Sequence, residues 1–307
     1  MRIHTMRLAT AIAFVIAVLA AAQPLQAELP VTVNLGFWVR ADAGVNAGTP
    51  ADGEPVTIWA DQLTGDNDIA DNLLPALNAP TFESGVGDTI NGLPVIRFDD
   101  DILEAVSSPE LNVATGFTFF LLLKHVSSIG NAWTMCKDYE AGPGGNLSYA
   151  LGYIGNSYAQ ISFDLTSTPP DGSGYTPDGS WTDVVLSNPV LPAAGPHLLA
   201  GRYDALTGIG ELEVWSSAGL LSETTGSVPP GSYVGSFNGD FSMGGYMDSY
   251  DLYEQFIGDI GEAAVYTVPI NDADWALVRE YFLDRWLQIF SDGFESGDTA
   301  AWSLTLP

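Results

Sequence analysis

From Leu29 onward the chain is dominated by short apolar or alternating runs, punctuated by Gly, Pro, Asn and Asp. Strand-like runs are Val31 to Val39, Val56 to Trp59, Leu93 to Phe98, Phe117 to Val126 and Leu147 to Ile154. Tyr158 to Leu165, His197 to Tyr203, Glu211 to Trp215, Phe241 to Tyr246 and Ile260 to Val268 continue the series. The run Phe117-Thr-Phe-Phe-Leu-Leu-Leu123 does not alternate, which predicts a central strand covered on both faces. With 33 Gly and 19 Pro for turns, this spacing predicts an all-β, two-sheet sandwich. One helix is predicted late. Asn271 can cap it, Asp272 and Asp274 complement its dipole, and Trp275, Val278, Phe282, Trp286 and Ile289 draw one apolar stripe for packing on the sandwich.

The first 27 residues follow a different pattern. Arg2 and Arg7 precede an uncharged apolar stretch, Leu8 to Ala22; Pro24 interrupts it and Ala27 offers a small residue before Glu28. That is the pattern of a secretory signal peptide. The apolar run is shorter than the ~20 residues of a membrane span, and no cysteine follows it to carry a lipid anchor. The expectation is an exported protein, extracellular or at the cell surface with the periplasm as an alternative, and with no membrane span once the leader is removed. Residues 28–290 read as one domain and 291–307 as a short polar tail.

Charge narrows the partners. Two of the nine basic residues lie in the leader, which leaves seven against 38 Asp and Glu. Nucleic acid is excluded as a partner, because phosphates would meet repulsion rather than release counterions. Anionic membrane surfaces are disfavoured for the same reason. Cys136 is the single cysteine, so no internal disulfide exists; its setting in Trp133-Thr-Met-Cys136 predicts a small buried strand residue. Past the leader only His125 and His197 remain, too few for a zinc motif.

Particular strings then carry a resemblance. Phe37-Trp38-Val39-Arg40-Ala41-Asp42-Ala43-Gly44-Val45, Val56-Thr-Ile-Trp59-Ala-Asp61-Gln62 and the turn Gly65-Asp-Asn-Asp68 resemble the opening of bacterial LamG-like domains. Ala79-Pro80-Thr81-Phe82 and Ile90-Asn91-Gly92-Leu93-Pro94-Val95-Ile96-Arg97-Phe98-Asp99 continue it in order. Gly258-Asp259-Ile260-Gly261-Glu262 through Tyr266, with the helix to Trp286, resemble the family's closing strand and helix. The resemblance implies a concanavalin A-like jelly-roll sandwich with one C-terminal α-helix, extracellular residence, carbohydrate or adhesion roles, and often a structural calcium. One departure is that Asp99 to Asp101 are three successive aspartates with no glycine after the first, and Ile102 stands where the family has an aromatic. The tail, Asp292-Gly-Phe-Glu-Ser-Gly-Asp298 to Ser303, resembles a short C-terminal element of exported bacterial proteins, a possible sorting tag or docked strand.

Candidate chemistry follows. Calcium takes several oxygen ligands, and the candidate ligands are Asp99 and Asp101 beside the early strand with Asp259 or Glu262 on the closing one; the acidic loop Asp248 to Glu254 is another. Sugars stack on exposed aromatics, and the candidates are Tyr175, Trp181, Tyr246, Tyr250 and Tyr253, whereas Trp38, Trp59 and Trp215 read as core. A glucanase branch of the same sandwich places acids at alternating strand positions. Glu211 and Glu213 match two of these, but the third position holds Trp215, with Ser216 as the bulged alternative. The expectation is a non-catalytic recognition module for a glycan or cell-surface glycoconjugate. A glycosidase using Glu211 and Glu213, or a structural adhesin without a small ligand, are the alternatives. The sequence leaves the oligomeric state open.

Overall fold

Phe117–Leu123 is central because both of its faces meet apolar surface. A computed structural model describes residues 28–63, 67–71, 79–105, 109–127, 131–137, 148–154, 158–166, 181–182, 195–235, 240–248, 251–253 and 255–287. Strands that build the site and its surroundings are β1 (Leu35–Arg40), β2 (Val95–Phe98), β3 (Leu103–Ala105), β4 (Gly116–Ser127), β5 (Asn131–Lys137) and β6 (Tyr149–Ile154). They continue with β7 (Tyr158–Thr166), β8 (His197–Asp204), β9 (Ile209–Ser216), β10 (Gly219–Ser227), β11 (Phe241–Met243) and β12 (Ile257–Tyr266), followed by helix α1 (Asp272–Phe282).

Two antiparallel sheets form the sandwich. The first runs β10-β9-β8-β4-β12-β2 and ends in the short strands Thr81–Glu83 and Glu54–Pro55; β1 pairs with the C-terminal part of β12. The second begins at Trp181–Thr182, runs β7-β6-β5-β11-β3, and ends in Ile69–Ala70 and Ile58–Trp59. Between them, Phe117, Phe119, Leu121 and Leu123 of β4 share one core with Leu151 and Tyr153 of β6 and Ile161 and Phe163 of β7. Phe117 lies 5.3 Å from Tyr149 and 5.7 Å edge-on to Phe163. On the other face of β4, Phe120 lies 5.1 Å from Trp275 and 5.7 Å from Phe282 of the helix. A strand between a sheet and a helix has no solvent face, so its sequence cannot alternate.

Local chemistry sets the ends of these elements. Asn271 Oδ1 accepts from the N–H groups of Ala273 and Asp274, both at 3.0 Å, and so caps α1 as expected. The chain continues as a wider π turn through Leu283–Leu287, which buries Trp286 beside Trp275, Val278 and Phe282. Asn91 and Gly92 sit at φ 50° and 74° between the bridged pair Ile90 and Leu93, a turn geometry that Asn-Gly favours. Ile289 and the tail from Ser291 lie outside the described residues.

Several strands lie outside the predicted runs, among them β3 and β10, and of β5 only Cys136 reads as a strand residue. β5 mixes Trp, Thr, Cys and Lys, and β10 is a mostly polar edge whose outward residues are exposed. Neither offers the apolar periodicity that marks a half-buried strand. At the start, Asn34 at φ 60° breaks the run Val31 to Val39, and β1 begins only at Leu35.

Gly201 sits where the core leaves no room for a side chain. A Cβ there would lie 2.2 Å from Phe119 Cζ and 2.7 Å from Ile161 Cδ1. Gly201→Ala forces core rings out of place, and such overpacking costs about 1–3 kcal/mol. Urea unfolding should show the midpoint falling by that amount with an unchanged slope; a wild-type midpoint would mean that the sheets have slack there.

Candidate functional site

The outer face of the first sheet is closed by the helix, and Glu262 of β12 is the centre of that closure. Its side chain is completely buried. Oε1 accepts from Trp38 Nε1 at 2.7 Å and from Tyr281 OH at 2.9 Å, and Oε2 accepts from Trp286 Nε1 at 2.7 Å. Arg285 Nε stands 3.2 Å from Oε2, and the same guanidinium pairs with Asp42, which also holds Arg40. Burial pushes the Glu262 carboxyl up, opposed by Trp286, Trp38, Arg285 and Tyr281. This carboxylate joins β1, β12 and the helix.

The pair proposed as glycosidase acids belongs to the same closure. Glu211 and Glu213 do share the outer face of β9. Glu211, however, lies 2.6 Å from Arg202 Nε, and Arg202 also reaches Asp272 of the helix at 2.7 Å. Glu213 accepts from Trp215 Nε1 at 2.8 Å and pairs with Arg279 at 3.3 Å. Trp215 is not a core residue as expected; it is half-buried on this face, with Arg279 4.9 Å above its ring. Trp38 and Trp59 are buried as expected.

The candidate calcium ligands have different partners in the fold. Asp259 is held by Arg97 at 2.8 Å with Lys124 at 3.9 Å, and Glu262 is saturated as above. Asp99 and Asp101 remain together, where Asp99 N–H donates to Asp101 Oδ2 at 3.0 Å. Among the described residues, no three His, Cys, Asp or Glu side chains gather as a metal group. Asp101 is nonetheless unusual. It is buried, its Oδ1 has no hydrogen-bond partner, and burial together with the charges of Asp99, Asp100 and Asp71 pushes it up to about 6.

The outer face of the second sheet is built differently. Antiparallel register places Glu104 of β3, Ser242 of β11, Cys136 of β5 and Ala150 of β6 in one row. A second row runs Trp133, Gly152, Gln160. At the bulge between these rows a Cβ on Gly152 would meet Ala132 O at 2.0 Å, so only glycine fits. Trp133, Cys136 and Ala150 pack together. Cys136 is buried as expected, its Sγ 2.9 Å from Ser242 Oγ, which donates to Gly245 O at 2.8 Å. Trp133 Nε1 and Thr134 Oγ1 are buried without a hydrogen-bond partner. Sequence reasoning missed this group, because its members lie on four strands and meet only through pairing.

Of the aromatic candidates, Tyr175 and Tyr250 lie outside the described residues. Trp181 stands in a short strand paired to β7, and Tyr246 lies opposite Tyr253 in a separate two-stranded sheet; their side chains, and the loop Asp248 to Glu254, also fall outside the description. His125 and His197 both face inward from the first sheet. His125 stacks 4.6 Å from Tyr153, and burial, with His125 nearby, lowers His197 to about 4.

No family model matches the chain, and no curated protein matches it. Among solved structures, a Trypanosoma rangeli sialidase in complex with sialic acid is similar over 84% of this chain and 34% of its own, at 16% identity and a TM-score of 0.45. A Ruminococcus gnavus IT-sialidase CBM40 bound to α2,3-sialyllactose is similar over 55% of this chain and 83% of its own, at 17% identity and a TM-score of 0.40. The chain thus spans about a third of the length of that sialidase. At these identities and scores the likeness is one of the sandwich alone, and no site residue is carried over. One correction follows. The expectation that the chain is not an enzyme does not stand, because sialidases are among the structures it matches. Among the described residues no helix is long and apolar enough to cross a membrane.

Two measurements check this geometry. Glu262→Ala takes one of the two carboxylates that Arg285 pairs with and the acceptor of two indoles and a phenol, and breaking a buried pair costs about 3–5 kcal/mol; chemical denaturation should show it, and a loss below about 1 kcal/mol would mean the closure rests on apolar packing. Asp101 holds its proton more tightly folded than unfolded, so stability falls as pH rises from about 4 through 6. Asp101→Asn removes that penalty and should stabilise by up to about 2 kcal/mol at pH 8 but not at pH 4. An equal effect at both pH values would refute the assignment.

Proposed function

We propose that this is an exported glycan-recognition protein whose ligand, a free glycan or a cell-surface glycoconjugate, binds on the outer face of the second sheet. The indole N–H of Trp133 carries the reading: it is buried in the outward row with Gly152 and has no hydrogen-bond partner. On the first sheet's outer face the unbonded Nε atoms of Arg279 and Arg285 belong to guanidinium groups that already pair with Glu213 and Glu262. An unmet buried donor or acceptor costs about 1–3 kcal/mol, so such atoms are expected where a ligand completes the bonding. A hydroxyl-rich ring supplies both acceptor and donor, and an indole adds an apolar body with one polar point. The leader pattern of the first 27 residues supports export, and the ordered LamG-like strings support a carbohydrate role.

The test is a glycan array probed with the chain from Glu28 onward, followed by Trp133→Phe, which keeps an aromatic ring and removes the N–H. A set of retained glycans is expected, with binding weakened at least about fivefold in the variant at an unchanged melting temperature. No retained glycan would overturn the function in favour of a structural adhesin. Unchanged affinity in the variant would move the site away from this face. Release of reducing ends from retained glycans reports whether binding leads to cleavage.

A further inference from the structure

All seven Lys and Arg beyond residue 27 are described, and each is already committed inside the fold. Arg202 and Arg279 bind carboxylates of β9 while lying over the rings of Trp275 and Trp215. Arg40 and Arg285 share Asp42 and lie over Trp38 and Trp286. Arg97 is divided among Asp259, Asp88 and Glu83, and Lys124 turns to the same Asp259. Lys137 is completely buried, placed by register opposite Tyr149 and Phe241 of the core. The two histidines add nothing, since both are buried and burial holds His197 neutral well below pH 7.

Acidic sugars, which carry carboxylate, sulfate or phosphate, are recognised through charge-assisted bonds. Arginine is favoured because its fork matches the planar anion. Arg97 and Lys124 keep 35% and 34% of their side chains exposed but face Asp259 on the first sheet, so no cation is left on the second sheet's outer face for that work. The outward row of the second sheet holds a buried carboxylate, Glu104, instead, within a chain whose carboxylates outnumber its cations 38 to 9. An acidic ligand would lose its hydration and meet like charge, which costs several kcal/mol at an interface.

Resting on the glycan reading above, we infer that the ligand bears no negative charge: the protein takes a non-acidic glycan, bound by hydroxyl hydrogen bonds and aromatic contact, and rejects sialylated, uronic or sulfated counterparts of the same chain.

Isothermal titration decides it, using the best neutral oligosaccharide from the array and its sialylated, uronic and sulfated counterparts, each in about 0.02 M and 0.5 M sodium chloride. The neutral glycan should bind equally at both salts, and each acidic counterpart at least about tenfold more weakly, with the gap narrowing in high salt as repulsion is screened. Tighter binding of an acidic counterpart, weakening as salt rises, would overturn the inference while leaving glycan recognition intact. Failure of every array glycan, neutral and acidic alike, would overturn the glycan reading itself and this inference with it.

Discussion

A buried carboxylate, Glu262, is the constraint from which the rest of this structure is arranged. A carboxylate out of water needs its lone pairs met or it becomes strongly destabilising. Here two indoles, a phenol and a guanidinium meet them. Those donors come from β1, from the last turn of α1 and from the π turn after it, so the helix is seated in one position rather than sliding on an apolar patch. That seat covers Phe120 and the outer residues of β9 and β12. A surface so covered is not available to a ligand.

The same arrangement explains the charge of the whole molecule. Each arginine that fastens α1 is also laid over a tryptophan, which shields its pair from water and lets a small number of cations do structural work at close range. Once those cations are enclosed, few are left for the remaining carboxylates: Arg97 and Lys124 meet Asp259, Asp88 and Glu83. Net charge is set by composition, but the field it presents depends on where the few positive groups are placed. A chain with the same counts but arginines on its exposed edges would present a different field to its partners.

Much of the fold was legible in the residues, and the reason is local. Phe117–Leu123 announces a strand covered twice, Asn91-Gly92 announces its turn, and Asn271 with the Trp275-to-Trp286 stripe announces the helix. Each signal is carried by neighbours in sequence. β5 and β10 escaped because an edge strand and a strand with an outward polar row lack periodicity, and their stability comes from partners across the sheet. Trp215 read as core because it sits in an apolar strand. The structure shows it on the outer face, where an arginine rather than a second sheet covers it.

The candidate site was illegible for a stronger reason. Glu211-Leu-Glu213 looked like chemistry because alternation puts two acids on one face within three residues, yet what those acids do is decided by Arg202 and Arg279, one on the neighbouring strand and one on the helix. Conversely, Glu104, Cys136 and Ser242 carry no motif, and their adjacency exists only after three strands pair in register. Spacing along a strand can show which side chains share a face, but whether a polar group on that face is a structural tie or is free for a ligand depends on partners that the spacing does not contain.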